Sequence, residues 1–118
     1  MTTASQVLAG LVAALHIYFL VLEMFLWTTP YGQKTFGRSR DEQESSKVLA
    51  ANQGLYNGFL AAGLVWSLAT GDGATRMFFL GCVAVAGIYG AATVNMRILF
   101  AQAVPAFAGL VVTWLAYH

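Results

Sequence analysis

The chain has 118 residues, of which 58% are hydrophobic and 9% are charged, and its formal net charge is +1. A soluble domain carries about 25% charged residues, so this composition argues against a soluble globular protein and indicates a single membrane domain. The near-neutral charge, with no clustered basic face, also argues against nucleic-acid binding.

Four apolar stretches divide the sequence, and each is long enough to cross a bilayer, which takes about 20 residues. They cover residues 4–28, 47–69, 76–94 and 98–117, and a polar loop over residues 29–46 separates the first two. The predicted fold is therefore all-α, a bundle of four transmembrane helices that form one domain over residues 1–118.

The first stretch contains two ionisable residues, His16 and Glu23. They are seven residues apart, so both project from one helix face, about 10 Å apart along the axis. Ionisable residues inside a membrane span are costly and mark functional sites by default. No Lys or Arg precedes this long stretch, so we expect an uncleaved span and not a signal peptide.

Breaks and caps delimit the remaining stretches. Pro30 is expected to end the first, with a turn at Tyr31-Gly32. Ser39 and Glu42 have the spacing of a capping box, which predicts that the second helix begins before the membrane. Turns are predicted at Thr70–Gly73 and at Asn95–Arg97.

Basic residues set the predicted orientation. With four spans, one side of the membrane holds Arg76, and the other holds Lys34, Arg38, Arg40, Lys47 and Arg97. Under the positive-inside rule, the polar loop is cytoplasmic and both termini lie outside, in a multi-pass protein of the plasma membrane.

The polar residues of the four spans fall at similar depths. At 1.5 Å per residue they occupy one layer about 10 to 12 Å thick. We predict a pocket open to the cytoplasm, with Glu23 and His16 as catalytic acid and base. The predicted ligand-binding residues are Asn52, Gln53, Tyr56, Asn57, Tyr89 and Gln102.

The same residues have structural interpretations. Asn and Gln often hydrogen-bond between membrane helices, and Glu23 can be held by Asn52 or Tyr56. The pair Gly54 and Gly58 forms a GxxxG pattern, which indicates close helix packing and not by itself dimerisation.

Several known chemistries lack the residues that they need. There is no Ser–His–Asp set, zinc motif, phosphate loop or dinucleotide fingerprint, and the lone Cys82 reads as a packing residue. A haem ligand at His16 would rest on one residue. We therefore expect no cofactor and no metal, which leaves acid–base chemistry on, or binding of, a small apolar or amphipathic molecule.

Two segments resemble a known family. They are LEMFLWTTPYGQKTFG and VLAANQGLYNGFLAAGLVWSL. Both are similar to the signature segments of a widespread family of small bacterial membrane proteins, which is catalogued as a domain of unknown function. Proteins of this family have about 120 residues. The resemblance covers essentially the whole chain. It implies a four-helix protein of the bacterial inner membrane and names no activity.

Three functional classes stay open. The first is an intramembrane enzyme, in which Glu23 and His16 reach one ligand. The second is a proton-coupled transporter or channel formed by a homo-oligomer. The third is a non-catalytic assembly partner, which predicts a paired Glu23 and no cavity.

Overall fold

The computed structural model describes residues 2–93, 96–97 and 99–117. The described chain is helical, which confirms the all-α prediction. The elements are α1 (Thr3–Met24), α2 (Pro30–Phe36), α3 (Arg40–Thr70), α4 (Gly73–Thr93), a π-helical turn (Leu99–Ala103) and α5 (Val104–Tyr117).

Three described helical segments are long and apolar enough to cross a membrane. They are Thr3–Met24, Gly73–Thr93 and Phe100–Tyr117. The longest helix, α3, has 31 residues but is not among them. The amides of Asn52, Gln53 and Asn57 lower the mean hydropathy of its apolar part. Length and composition thus give three candidate spans where the sequence predicted four.

The segment after α1 is more helical than predicted. The turn expected at Tyr31-Gly32 is wrong, because Pro30 is the first residue of α2. Proline suits this position, where its missing N–H has no helical partner in any case. Thr29 caps the helix by accepting a hydrogen bond from the Gly32 N–H at 3.2 Å. Much of the predicted loop over residues 29–46 therefore belongs to α2 and to the start of α3.

The capping box at the start of α3 is confirmed. The Ser39 N–H donates to Glu42 Oε1 at 3.0 Å, and the Glu42 N–H donates to Ser39 Oγ at 3.2 Å. The hydrogen bonds from Ser39 favour the ionised carboxyl and lower the pKa of Glu42. The cap explains why α3 begins well before its apolar residues.

The turn between α3 and α4 is also confirmed. Gly71 has φ 70°, a left-handed conformation that glycine adopts without steric cost. Asp72 then caps α4, since its carboxylate accepts from the Ala74 N–H at 3.1 Å and from the Thr75 hydroxyl at 2.7 Å. These hydrogen bonds lower the pKa of Asp72.

The predicted Asn95–Arg97 turn, and the span ends at residues 94 and 98, fall partly or wholly outside the described residues. Beyond them the chain continues as the π-helical turn and α5. Pro105 explains the wider turn, because its ring clashes with the carbonyl group four residues earlier in a regular α-helix.

The helices divide into two compact units. The contiguous unit is Leu15–Phe59, and the split unit combines Met1–Ala14 with Leu60–His118. A buried apolar cluster in the split unit contains mainly small and branched side chains, which allow close helix packing. Its members are Ala9, Val12, Ala13, Leu64, Leu80, Val83, Ala84 and Ala106.

Candidate functional site

A carboxyl–amide pair joins α1 and α3 in the contiguous unit. Asn57 Nδ2 donates a hydrogen bond of 2.5 Å to Glu23 Oε1. Both side chains are half-buried. A hydrogen bond to a carboxylate is shorter and stronger than one between neutral groups, so this contact orients the carboxyl. The donor is Asn57, and not Asn52 or Tyr56, the donors that the sequence suggested.

Two glycines of α3 set the spacing of this pair. A Cβ atom on Gly54 would lie 2.6 Å from Met24 Cγ and 3.2 Å from Glu23 Cβ. A Cβ atom on Gly58 would lie 2.6 Å from Leu20 Cδ1. The GxxxG pattern therefore packs α3 against α1, which confirms its interpretation as a packing motif.

The same carboxyl lines a cleft of about 370 Å³. This volume falls in the range of small-molecule sites, which is roughly 300–1,000 Å³. The lining of this cleft has one acidic residue, one basic residue, one threonine and five apolar residues. It is lined by Glu23, Met24, Phe25, Trp27, Thr28, Lys47, Val48 and Ala51.

The two charged groups of the cleft differ in their partners. Lys47 Nζ forms an ion pair with Glu44 Oε1 at 2.6 Å. Among the described residues, the hydrogen-bond donor to the Glu23 carboxyl is the uncharged amide of Asn57. The negative charge that the site can offer to a ligand therefore belongs to Glu23.

Side chains from α2 and α3 hold Trp27, which forms one wall of the cleft. Trp27 Nε1 donates to Ser46 Oγ at 3.1 Å, and its ring packs against that of Phe36 with centroids 4.6 Å apart and the ring planes tilted by 50°. The fully buried Gln43 donates from Nε2 to the Trp27 carbonyl at 2.9 Å. Its Oε1 is buried with no hydrogen-bond partner in the described part of the chain. These contacts hold one wall of the cleft in place.

The other predicted site residues lie outside the cleft. His16 belongs to the contiguous unit, where it is fully buried with its ring 5.3 Å from that of Phe19. Asn52, Gln53 and Tyr56 are exposed on α3. In the split unit, the predicted ligand-binding residues are exposed or half-buried: Tyr89 and Gln102.

Sequence reasoning missed several residues of the cleft and its support. The sequence uses Lys47 only as an orientation signal, and neither Trp27 nor Gln43 is among the predicted site residues. A signal was present in the sequence. Gln43 and Lys47 lie in the polar segment that directly follows LEMFLWTTPYGQKTFG, the segment that contains Trp27.

A polar network that the sequence did not indicate lies in the split unit. Arg76 is fully buried, and its guanidinium donates to Ser5 Oγ at 3.0 Å and to the Ser67 carbonyl at 3.1 Å. The hydroxyl groups of Ser5 and Thr113 lie 2.6 Å apart. The network joins residues from four helices, and none of these four residues belongs to the lining that contains Glu23.

A second cleft in the split unit, of about 630 Å³, is chemically poorer. Its lining contains one acidic group, Asp72, which is committed to capping α4. Within residues 2–93, 96–97 and 99–117, no group of three or more His, Cys, Asp or Glu side chains is placed to hold a metal ion.

Comparison with known proteins finds a family without an assigned activity. Residues 10–114 match the family described as "Protein of unknown function (DUF1304)". A relative, "Uncharacterized protein YpaA" of Lactococcus lactis subsp. lactis (strain IL1403), is 31% identical over 107 residues, which are 86% of this chain and 89% of that protein. No solved structure is significantly similar to the chain. The matches confirm the resemblance seen in the sequence.

Proposed function

The chain belongs to the DUF1304 family of proteins of unknown function, and from this premise we propose a membrane-embedded receptor for a small amphipathic molecule. In this proposal α1, α3, α4 and α5 cross the bilayer. The candidate spans Thr3–Met24, Gly73–Thr93 and Phe100–Tyr117 support three of the crossings.

Support for the fourth crossing comes from the length of α3. Its part after Lys47 has no charged residue up to its end at Thr70. At 1.5 Å per residue this part is about 35 Å long, which exceeds the hydrocarbon thickness of about 30 Å. The amides within it lower its hydropathy but leave it long enough to span.

The orientation follows the basic residues around α2 and the start of α3. Lys34, Arg38, Arg40 and Lys47 support a cytoplasmic position for this end under the positive-inside rule. The cleft then lies at the cytoplasmic surface of the plasma membrane. Lys47 marks its water side, and Met24 and Val48 provide apolar walls.

One observation carries the functional proposal: the Glu23 carboxyl that Asn57 orients is also part of the cleft lining. An amphipathic molecule matches this lining, since its chain packs on the apolar walls while its headgroup donates hydrogen bonds to the carboxyl. Because the Lys47 ammonium is already paired with Glu44, the site favours a cationic headgroup such as a primary amine.

The arrangement favours binding over acid–base chemistry by a Glu–His pair. His16 is fully buried, and it is not part of the lining that contains Glu23. Seven residues of α-helix separate the two residues by about 10 Å along the axis. A paired Glu23 without a cavity would instead favour an assembly partner, but Glu23 has both a partner and a cleft.

Fluorescence quenching tests the proposal, because Trp27 lines the cleft. In a W66F/W114F background, Trp27 is the sole tryptophan. The protein is reconstituted into phosphatidylcholine vesicles and titrated with a long-chain primary amine that carries a nitroxide beside the headgroup. We expect saturable quenching by the amine and only gradual, non-saturable quenching by the matching alcohol.

Matched variants decide whether the carboxyl is responsible. Glu23→Gln keeps the size of the side chain and removes the charge, and it is expected to weaken amine binding at least about tenfold, since a charge-assisted hydrogen bond is worth about 1.5–3 kcal/mol. Asp41→Asn removes an exposed carboxyl on the same unit and is expected to bind like the wild type. Equal amine affinity of the Glu23→Gln and wild-type proteins would refute the proposal.

A further inference from the structure

One face of α3 in the contiguous unit is exposed and largely apolar. Leu49 is 75% exposed, Tyr56 57% and Phe59 55%, and Asn52 lies exposed among them. The spacing of three, four and three residues places these four side chains along one stripe of the helix, as in the contact seam of a coiled coil. We call Leu49, Asn52, Tyr56 and Phe59 the α3 seam.

The polar member of this seam lies at an unfavourable place for contact with lipid. If α3 crosses the bilayer as proposed, Asn52 lies five residues beyond Lys47, about 7 Å deeper along the axis. Hydrocarbon chains offer no hydrogen bonds to an amide. An occupant of this face must therefore supply both apolar contact area and hydrogen-bonding groups.

The packing motif of α3 is not available to such an occupant. Gly54 and Gly58 are already in contact with side chains of α1, and Asn57 is bonded to Glu23. On a helical wheel, Gly54 lies about 160° from Asn52, so it faces away from the seam. The exposed seam and the intrachain contacts thus use different sides of α3.

We propose that the α3 seam is the interface of a homodimer, in which two copies pair in parallel about a two-fold axis along the membrane normal. Two copies inserted with the same orientation bring each seam residue opposite its own equivalent. An amide carries donors and an acceptor, so Asn52 is complementary to itself across such an axis. The seam carries no charge that would repel its copy, and its neighbours provide apolar contact.

Disulfide trapping tests the geometry. In a Cys82→Ser background, single cysteines are placed by L49C and Y56C, one on either side of Asn52 in the seam. Val85 of α4, which is 68% exposed, provides the control variant V85C. After oxidation in native membranes, we expect dimers from L49C and Y56C and little from V85C. Absence of dimers from both seam variants, or equal trapping by V85C, would overturn the proposal.

A second measurement tests the role of the amide and does not require a cysteine. Dimer affinity is measured by energy transfer between labelled copies while phosphatidylcholine vesicles are diluted with lipid. N52L is expected to weaken the dimer about 3- to 30-fold, because interhelical hydrogen bonds in membranes are worth about 0.6–2 kcal/mol. Q53L, which changes an adjacent exposed amide outside the seam, is expected to change affinity less than twofold. An N52L affinity equal to that of the wild type would contradict the proposal.

The dimer proposal and the receptor proposal can be refuted independently of each other. This inference rests on the proposed crossing of α3, which accessibility labelling at both ends of α3 in sealed vesicles tests alone. Loss of amine binding in Glu23→Gln with intact trapping at residues 49 and 56 upholds the dimer. If wild-type protein does not bind the amine but is trapped, only the receptor proposal falls.

Discussion

Replacing the α3 glycines by alanine tests how the site is positioned. In an open stretch of helix, Gly→Ala stabilises the folded state by about 0.5–1 kcal/mol, because alanine loses less backbone freedom. Gly81 of α4 provides this reference, since a Cβ atom there would have no atom within 4 Å. Gly54 and Gly58 differ from it only in what the added methyl group meets.

At Gly58 the obstacle is the end of a flexible side chain. The new methyl group would lie 2.6 Å from Leu20 Cδ1, and Leu20 Cγ is already 3.9 Å away. A rotamer shift of Leu20 relieves the overlap at about 0.5–1.5 kcal/mol. The gain in helix propensity offsets this cost, so Gly58→Ala is expected to leave the free energy of unfolding within about 0.5 kcal/mol of the wild type.

At Gly54 the obstacles are less able to move. The methyl group would lie 3.2 Å from Glu23 Cβ and 3.3 Å from the Leu20 carbonyl oxygen, besides 2.6 Å from Met24 Cγ. Because backbone atoms and a Cβ atom move only with the helix, α1 and α3 must separate. Overpacking of this kind costs about 1–3 kcal/mol. After the gain in propensity, Gly54→Ala is expected to destabilise by about 0.5–2 kcal/mol.

Reversible unfolding in mixed micelles of mild detergent and dodecyl sulfate measures all three variants. The predicted order of stability is Gly81→Ala, then Gly58→Ala, then Gly54→Ala. Amine binding by the Trp27 assay is expected to fall in Gly54→Ala alone, since the wider helix spacing stretches the contact between Glu23 and Asn57. If Gly54→Ala is as stable as Gly58→Ala, the close approach of α1 to α3 at this level is refuted.

Three other predictions concern polar contacts. Asn57→Leu removes the amide that donates to Glu23 and is expected to lower the free energy of unfolding by about 1–2 kcal/mol. In a Glu23→Gln background this effect should fall by at least about half. Strictly additive effects of the two substitutions in the unfolding assay would contradict the pairing. Because the pKa of Glu42 is lowered by Ser39, its cap stabilises α3 above the ordinary glutamate pKa of about 4.3 and is lost as pH falls through the lower folded value. Hydrogen-exchange protection of the Ser39 amide should thus decrease in acid in the wild type and not in Glu42→Gln. Arg76→Lys replaces the buried guanidinium, which donates to Ser5 and Ser67, by an ammonium group that cannot reproduce both hydrogen bonds. It is expected to lower the free energy of unfolding by about 1–3 kcal/mol. An unchanged free energy of unfolding would contradict a stabilising role of this network.

The helices were predictable where local signals agree with the apolar pattern. The capping box at Ser39 and Glu42 located the start of α3, and Gly71 and Asp72 located the turn before α4. The end of α1 and the whole of α2 were not predicted. Proline at position 30 has two opposite meanings, since it stops one helix and starts another, and only the cap by Thr29 distinguishes them.

The structural interpretation, in which a side chain of α3 holds Glu23, named the correct helix but the wrong residues, because the donor is Asn57 and not Asn52 or Tyr56. Depth along the helix placed several amides at one level, but depth does not give the direction in which each side chain points. The GxxxG pattern supplies that direction. Asn57 lies three residues after Gly54 and so falls on the same side of α3, which is the side that meets α1.

The low hydropathy of α3 follows from the number of contacts that this one helix makes. Its Gly54 side packs on α1 and brings Asn57 to Glu23, and its start adds Lys47 to the lining of the cleft. In the proposed dimer, Asn52 on the opposite side pairs with its copy. Asn57 thus has a partner within the chain, and Asn52 has one in the proposed dimer, which offsets the cost of placing these two amides in a membrane. In this proposal α3, whose hydropathy is too low for a candidate span when it is considered alone, crosses the bilayer as part of the dimer.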